Sequence, residues 1–170
     1  MRTLEGSGVV LEPQRAEHAA EMFLVLSDPA IYQYENEPPS SLDWLRERFA
    51  WLEARRSPDG AQVWLNWVVR LPAAGLIGYV QATLSPTGAA AIAYVFGSKY
   101  WRRGLAREAC ELMIAELAGH YGARSVHAIF TRRNVRSARL LGRLGFMPRL
   151  PEGRGAVGAD EAVMFRSLRE

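Results

Sequence analysis

The hydrophobic patterning predicts an α+β fold: one mixed, mostly antiparallel central sheet of about 6–7 strands, flanked by about 4 helices. Three observations predict it. Four segments, near 15–26, 40–54, 104–120 and 134–144, repeat apolar residues every three to four positions. Three runs rich in β-branched and aromatic residues crowd between 63 and 96 with only Pro/Gly turns between them, as an antiparallel meander requires. Beyond residue 100, helix and strand patterns alternate, which calls for at least one parallel pairing.

The elements follow in order. Val9-Val10-Leu11 reads as a first strand ended by Pro13. Arg15 to Leu26 carries Ala19, Met22, Phe23 and Leu26 on one stripe, and Ser27-Asp28-Pro29 stops that helix. Ile31 to Pro39 reads as a loop. Ser40-x-x-Asp43 predicts a capping box for a second helix reaching about Ala54. The strands Val63–Val69, Leu76–Leu84 and Ala91–Phe96 follow, separated by Pro72–Gly75 and Ser85–Gly88. A long helix from about Gly104 to His120 spaces Leu105, Ala109, Met113 and Leu117 four apart. Ser125–Phe130 is a strand, Asn134–Leu144 a helix, and Ala162–Leu168 a last strand. Phe146–Leu150 is a candidate short strand before a Gly-rich loop, 153–158.

At 170 residues with no composition break, the chain reads as a single domain, 1–170. With 49% hydrophobic and 23% charged residues it can bury a core, so disordered and fibrous classes are excluded. No apolar run approaches the ~20 residues of a membrane span, and the opening residues do not follow a secretory pattern. The single cysteine, Cys110, can form no internal disulfide and has no companions for a zinc site. A cytoplasmic protein without a metal is the expectation.

The net charge is +3, and of 21 basic residues all but Lys99 are arginine. Arg102, Arg103, Arg107, Arg124, Arg132, Arg133, Arg136, Arg139 and Arg143 concentrate in one stretch. Such a cluster suits nucleic acid or a small polyanion. It follows two predicted helix starts instead of interleaving with strand aromatics, which favours the small polyanion.

Tyr100-Trp101-Arg102-Arg103-Gly104-Leu105-Ala106 lies between a strand and the long helix. A helix N-terminus presents unpaired N–H groups and partial positive charge, so the cations Lys99, Arg102, Arg103 and Arg107 are misplaced there unless an anion joins them. Gly104 admits close approach to the backbone and Ala106 keeps the first turn open. The combination describes a phosphate site, the alternative being a solvated arginine pair in a surface turn. Neither a Walker loop nor a three-glycine dinucleotide fingerprint is present.

Ile92-Ala93-Tyr94-Val95-Phe96 followed by Tyr100-Trp101-Arg102-Arg103-Gly104-Leu105-Ala106-Arg107-Glu108-Ala109 resembles motif A of the GNAT superfamily of N-acetyltransferases. Asn134-x-x-Ser137-x-x-Leu140-Leu141-x-x-Leu144-Gly145-Phe146 resembles its motif B. The opening Leu4-Glu5-Gly6 with Val10-Leu11-Glu12-Pro13 resembles the branch containing ribosomal-protein N-terminal acetyltransferases. The resemblance covers essentially the whole chain. It implies a GNAT-like fold and acetyl-CoA as co-substrate, with the pantetheine arm on the backbone of Tyr94, Val95 and Phe96. It further implies the pyrophosphate on the turn Arg102, Arg103, Gly104, Leu105, Ala106 and Arg107, and Asn134 and Ser137 near the thioester and pantetheine. Two places depart from the family pattern. Trp101 stands where Gln or Arg is usual, and Leu141 stands where many members carry a tyrosine acid. The glutamate often found early in the strand is also missing, near Ala91.

Ser137 is therefore the candidate acid, or else a serine capping the helix backbone, with Asn134 beside it in the catalytic set. Tyr32, Tyr34, Glu35 and Glu37 are the candidate acceptor-side residues, the two glutamates reading otherwise as solvated carboxylates. His18 and His120 read as surface residues, His127 as a structural histidine, and Cys110 as a buried apolar one. Trp44, Trp51, Trp64 and Trp67 read mostly as core. The leading function is acetyl transfer from acetyl-CoA to a primary amine, with a protein or peptide α-amino group ahead of a polyamine or antibiotic amine. A non-catalytic CoA-binding module and an arginine-rich nucleic-acid binder are the alternatives. A monomer or homodimer acting on acetyl-CoA and an amine, away from membranes, is the expected working state.

Overall fold

The computed structural model describes residues 1–34, 36–149 and 158–168. Its strands are β1 (Leu4–Glu5), β2 (Val10–Pro13), β3 (Val63–Leu71), β4 (Gly75–Leu84), β5 (Ala89–Phe96), β6 (Ser125–Thr131), β7 (Met147–Pro148) and β8 (Glu161–Ser167). Its helices are α1 (Ala19–Leu26), α2 (Leu42–Leu52), α3 (Leu105–Gly119) and α4 (Val135–Arg143). The strands form one sheet in the order β1-β2-β3-β4-β5-β6-β8-β7. Every neighbouring pair is antiparallel except β5 with β6.

Among the described residues the strand count is eight, above the expected 6–7. The surplus is β1, a two-residue strand too short for any periodicity to announce it. Of the expected strand Phe146–Leu150, only Met147 and Pro148 are paired, to Phe165 and Met164. Leu150 and residues 151–157 of the Gly-rich loop lie outside the described residues.

Alternation along the strands sorts the core into two layers. Leu65, Trp67, Ile77, Val80, Ile92, Val126 and Phe130 point to one face, packed on Ala109, Cys110, Met113 and Leu117 of α3 and Leu141 of α4. Val68 and Leu76 point to the other, against Ala19, Met22 and Leu26 of α1 and Leu45 and Phe49 of α2. Each fully buried leucine or methionine contributes about 1.5–3 kcal/mol.

Local chemistry corrects several expectations. The cap of α2 is Ser41, not Ser40: its hydroxyl accepts the Trp44 N–H at 3.0 Å. Helix α1 is shorter than expected because Ala16–His18 forms a 3-10 turn before it. His18 belongs to that turn, only partly exposed, and its Nδ1 accepts the Arg15 N–H at 3.0 Å. With Leu45 and Phe49 facing inward, Trp44 and Trp51 fall off the buried stripe and are 49% and 45% exposed. Trp67 alone of the four is fully buried, its indole donating to the Arg2 carbonyl at 3.0 Å.

Candidate active site

The feature that organises the site is a fork in the sheet. Strand β5 stays paired with β4 as far as Phe96, opposite Gly78, yet pairs with β6 only over Ala89–Ala91 and Ser125–His127. Strand β6 meanwhile follows β8 to Thr131. Residues 92–96 and 128–131 therefore diverge and form the two walls of a wedge. Its apex is the Ala91–His127 pair. Gly78 holds the β4 side: any side chain there would strike the Val95 carbonyl and the Phe96 backbone.

Each wall leads into the N-terminus of a helix, so two helix starts face the wedge mouth. At the end of β5, a 3-10 turn (Ser98–Tyr100) and residues 101–104 lead to α3. Gly104 is its N-cap, left-handed at φ 80°, with no side-chain cap; the first helical bond is Glu108 N–H to Gly104 O. The amides of Leu105, Ala106 and Arg107 thus have no intrahelical acceptor. The acid in that first turn, Glu108, is turned away to the Gly8 N–H (2.7 Å) and the Ser7 hydroxyl (3.0 Å). Arg102 is also left-handed, at φ 62°, an outlier costing on the order of 1–3 kcal/mol. A strained turn with uncapped amides, arginines around it and open space at Gly104 fits a pyrophosphate. Acetyl-CoA, the ligand implied by the motifs, matches this cradle in charge.

Trp101, the departure from the usual motif, is fastened on both sides. Its indole donates to the Phe96 carbonyl at 2.8 Å, and the Arg136 guanidinium stacks on its ring at 3.8 Å. Of the strand residues, Phe96 is buried and Tyr94 packs partly buried in the α3-side core, while Val95 packs toward α1 and α2.

At the end of β6, Asn134 caps α4, its Oδ1 accepting the Ser137 N–H at 3.1 Å. The cap is therefore made by Asn134, which answers the alternative reading of Ser137. Among the described residues the Ser137 hydroxyl makes no hydrogen bond, and it is half-buried at the start of α4. Leu141, where relatives of the motif carry tyrosine, is fully buried and supplies packing only.

The residues expected on the acceptor side lie on the chain leaving α1. Asp28 caps a 3-10 turn (Pro29–Tyr32) through Ala30 N–H, and its other oxygen accepts the Ser98 N–H at 2.7 Å. The Ser98 side chain first, then the Ser98 and Ala30 amides, hold its carboxylate below the usual range. The Tyr32 hydroxyl donates to the Leu26 carbonyl at 2.6 Å, and burial followed by the Asp28 charge pushes it up to about 12. Tyr34 lies 5.8 Å from the Arg136 guanidinium. Glu37 is exposed, and Glu35 lies outside the described residues. The structure thus brings Tyr32 and Tyr34 toward the wedge mouth through Asp28 and Arg136, two residues that motif reading did not single out. Asp28 had read as a helix stop and Arg136 as one cation among nine.

His127 sits at the wedge apex, paired with Ala91 and Phe165, and burial lowers its pKa. Cys110 is fully buried on α3, where desolvation pushes its thiol up and disfavours a thiolate nucleophile. Among the described residues there is no cluster of metal-ligating side chains, and no helix is long and apolar enough to cross a membrane. Two surface hollows of about 380 and 340 Å³ lie beside the N-terminus and the β4–β5 turn; neither includes a wedge residue.

Comparison with known proteins agrees with this geometry. The family model described as the acetyltransferase (GNAT) domain matches residues 9–147. Among solved structures, a ribosomal-protein-S5-alanine acetyltransferase from Vibrio fischeri superposes with a TM-score of 0.80 at 17% identity, covering 97% of this chain and 96% of that one. A ribosomal L7/L12 α-N-protein acetyltransferase in complex with coenzyme A gives 0.80 at 13% identity, covering 97% of each chain. A chimeric spermidine N-acetyltransferase built in part from the Vibrio cholerae enzyme gives 0.77 at 17%, covering 95% and 96%. None of the curated proteins matches the chain significantly by sequence.

Proposed function

The chain belongs to the GNAT acetyltransferase family, and from that premise we propose that it moves the acetyl group of acetyl-CoA onto the N-terminal α-amino group of a protein or peptide. The family makes it an acetyl-CoA-dependent N-acetyltransferase. The observation that carries the finer reading is the wedge itself. Its walls, residues 92–96 and 128–131, contain no carboxylate, histidine or lysine. An acceptor that must lose a proton therefore gets little help from them. An α-amino group, with a pKa of ~7.7–8.0, is already partly neutral at pH 7, whereas a lysine-like amine at ~10.4 is not.

Acetyl-CoA supplies an acyl group already activated as a thioester. The chain's own residues do the rest by position. The backbone of Tyr94, Val95 and Phe96 holds the pantetheine arm, and the turn Arg102–Arg107 holds the pyrophosphate through amides and guanidinium charge. The cap bond to the Ser137 N–H fixes the Asn134 carboxamide at the start of α4. The Ser137 hydroxyl, uncommitted among the described residues, passes its proton to the departing sulfur and regains one from the nitrogen that has attacked the thioester. The proton the amine loses thus ends on the CoA thiol; a thiol leaving group near ~8.5 needs only such a weak relay. Tyr32, Tyr34 and Glu37 border the acceptor side. Holding amine and thioester together supplies much of the rate.

A second reading is a cationic small-molecule acceptor, favoured by the exposed Glu37 carboxylate. A thiol-release assay decides between them, comparing short peptides with free N-termini, the same peptides blocked, spermidine and aminoglycoside-like amines. The proposal expects turnover with the free peptides and none after blocking. Faster turnover of spermidine establishes the second reading. Stabilisation by CoA with no turnover of any amine leaves a CoA-binding module.

A further inference from the structure

We propose that Arg136 is a positioning residue for the acceptor: its guanidinium pins the acceptor-side loop to the cofactor turn across the wedge mouth. It rests on the preceding reading only in placing the acceptor beside residues 31–39.

Three contacts converge on this side chain. It lies 3.8 Å from the centroid of Trp101, it donates from Nη2 to the Gln33 Oε1 at 3.2 Å, and it lies 5.8 Å from the Tyr34 ring. Its partners belong to two loops that are 67 residues or more apart in sequence from each other, and Arg136 reaches them from a third element, α4. Trp101 is itself fixed to the end of β5 through the Phe96 carbonyl. The far end of the loop is fixed to the same turn by Asp28 and Ser98. The segment 28–34 is therefore attached at both ends to the chain that joins β5 to α3.

The position is otherwise a poor one for an arginine. It falls in the first turn of α4, where the helix dipole disfavours a cation, and Arg132, Arg133 and Arg139 are close in sequence. Among the described residues no carboxylate pairs with it. What holds it is a ring face and an amide oxygen, both uncharged. A planar guanidinium can stack on an indole and donate in its own plane at once; an ammonium cannot.

The bridge also ends one residue from Ser137. Loop, cofactor turn and proposed proton donor are thus tied through α4, and acceptor geometry depends on the tie. Small misplacements of a reacting group cost up to about a hundredfold in rate.

The test combines kinetics with hydrogen exchange on the full chain. In Arg136→Ala, the KM for whichever amine turns over should rise about tenfold or more, while the Kd for CoA stays within about twofold. Arg136→Lys should recover less than half of the loss, and Gln33→Ala should add little to Arg136→Ala. With CoA alone, amides of residues 30–34 should exchange faster in Arg136→Ala than in the parent, with β3 and β4 unchanged. Unchanged exchange in that segment overturns the pin. Faster exchange with an unchanged acceptor KM shows a merely structural bridge and overturns the positioning role. If no amine turns over at all, the acetyl-transfer reading fails, while the exchange measurement still decides whether Arg136 holds the loop.

Discussion

The carboxylate of Asp28 accepts the backbone N–H of Ser98 at 2.7 Å, across 70 residues of sequence. This bond fastens the segment leaving α1 to the turn that leads into α3, so the proposed acceptor side and the proposed cofactor turn share an anchor. The same carboxylate caps the Pro29–Tyr32 turn through Ala30. One acid therefore shapes the loop and fixes its place.

Asp28→Asn should loosen this anchor, raising the acceptor KM a few-fold with a small fall in Tm. The pH dependence follows from the lowered pKa of Asp28. A carboxylate more acidic folded than unfolded adds stability above the unfolded value of about 3.9, and that stability disappears as pH falls through the folded value. Thermal unfolding from pH 6 down to 2 should show part of the acid slope missing in Asp28→Asn. An identical slope in both proteins would remove the anchor from the account.

Gly104 separates backbone strain from ligand exclusion. Its φ of 80° penalises any side chain by about 1–2 kcal/mol, yet a Cβ there meets nothing within 4 Å. Gly104→Ala should lower stability by about that amount. Gly104→Glu should in addition weaken CoA binding by at least about tenfold, because it adds negative charge where phosphate belongs. Isothermal titration on both variants checks it; equal affinity in Gly104→Glu and the parent would move the phosphate site elsewhere.

Ser137→Ala should reduce kcat by roughly tenfold to a hundredfold with CoA affinity within about twofold. The Asn134 cap uses the Ser137 backbone N–H, which alanine keeps, so the helix start survives. Unchanged kcat would assign the proton to solvent. Cys110→Ala should cost about 1 kcal/mol of packing and leave kcat unaltered, since the thiol is buried in the α3 layer. An acetyl-cysteine trapped by mass spectrometry would replace direct transfer with a two-step route.

His127 should destabilise the fold in mild acid. Burial lowers its pKa relative to the unfolded value of about 6.5, so the unfolded chain takes up the proton first. Stability is intact above that pH and declines as pH falls through the folded value. His127→Gln should flatten Tm against pH just below about 6.5, a window above that of Asp28. The imidazole faces Ala91 on β5 and Phe165 on β8, neither of which titrates. An unaltered profile would mean that His127 protonates equally in both states.

Much of this protein is local and therefore readable in order along the chain. The apolar periods of α1, α3 and α4, the meander of β3, β4 and β5, and the Trp101–Ala106 turn with its misplaced cations all follow from neighbours within a few residues. So does the Asn134-x-x-Ser137 spacing, since a cap and the amide three positions on must meet. Gly104 is legible as the start of the long helix, where it stands as the left-handed N-cap.

What the tertiary structure decided involves partners that local pattern cannot name. Trp44 and Trp51 have the composition of core residues, yet the roll of α2 about Leu45 and Phe49 leaves them outside. Strand β1, two residues long, is defined by its pairing with β2. The divergence of β5 from β6 after Ala91 depends on each following a different neighbour. Asp28 looked like a stop signal and Arg136 like one arginine of many. Their roles arise when folding brings Ser98, Trp101 and Gln33 within reach. Burial leaves a periodic trace in sequence because it acts on every turn of a helix or strand; a single long-range hydrogen bond or stack acts on one side chain, and leaves none.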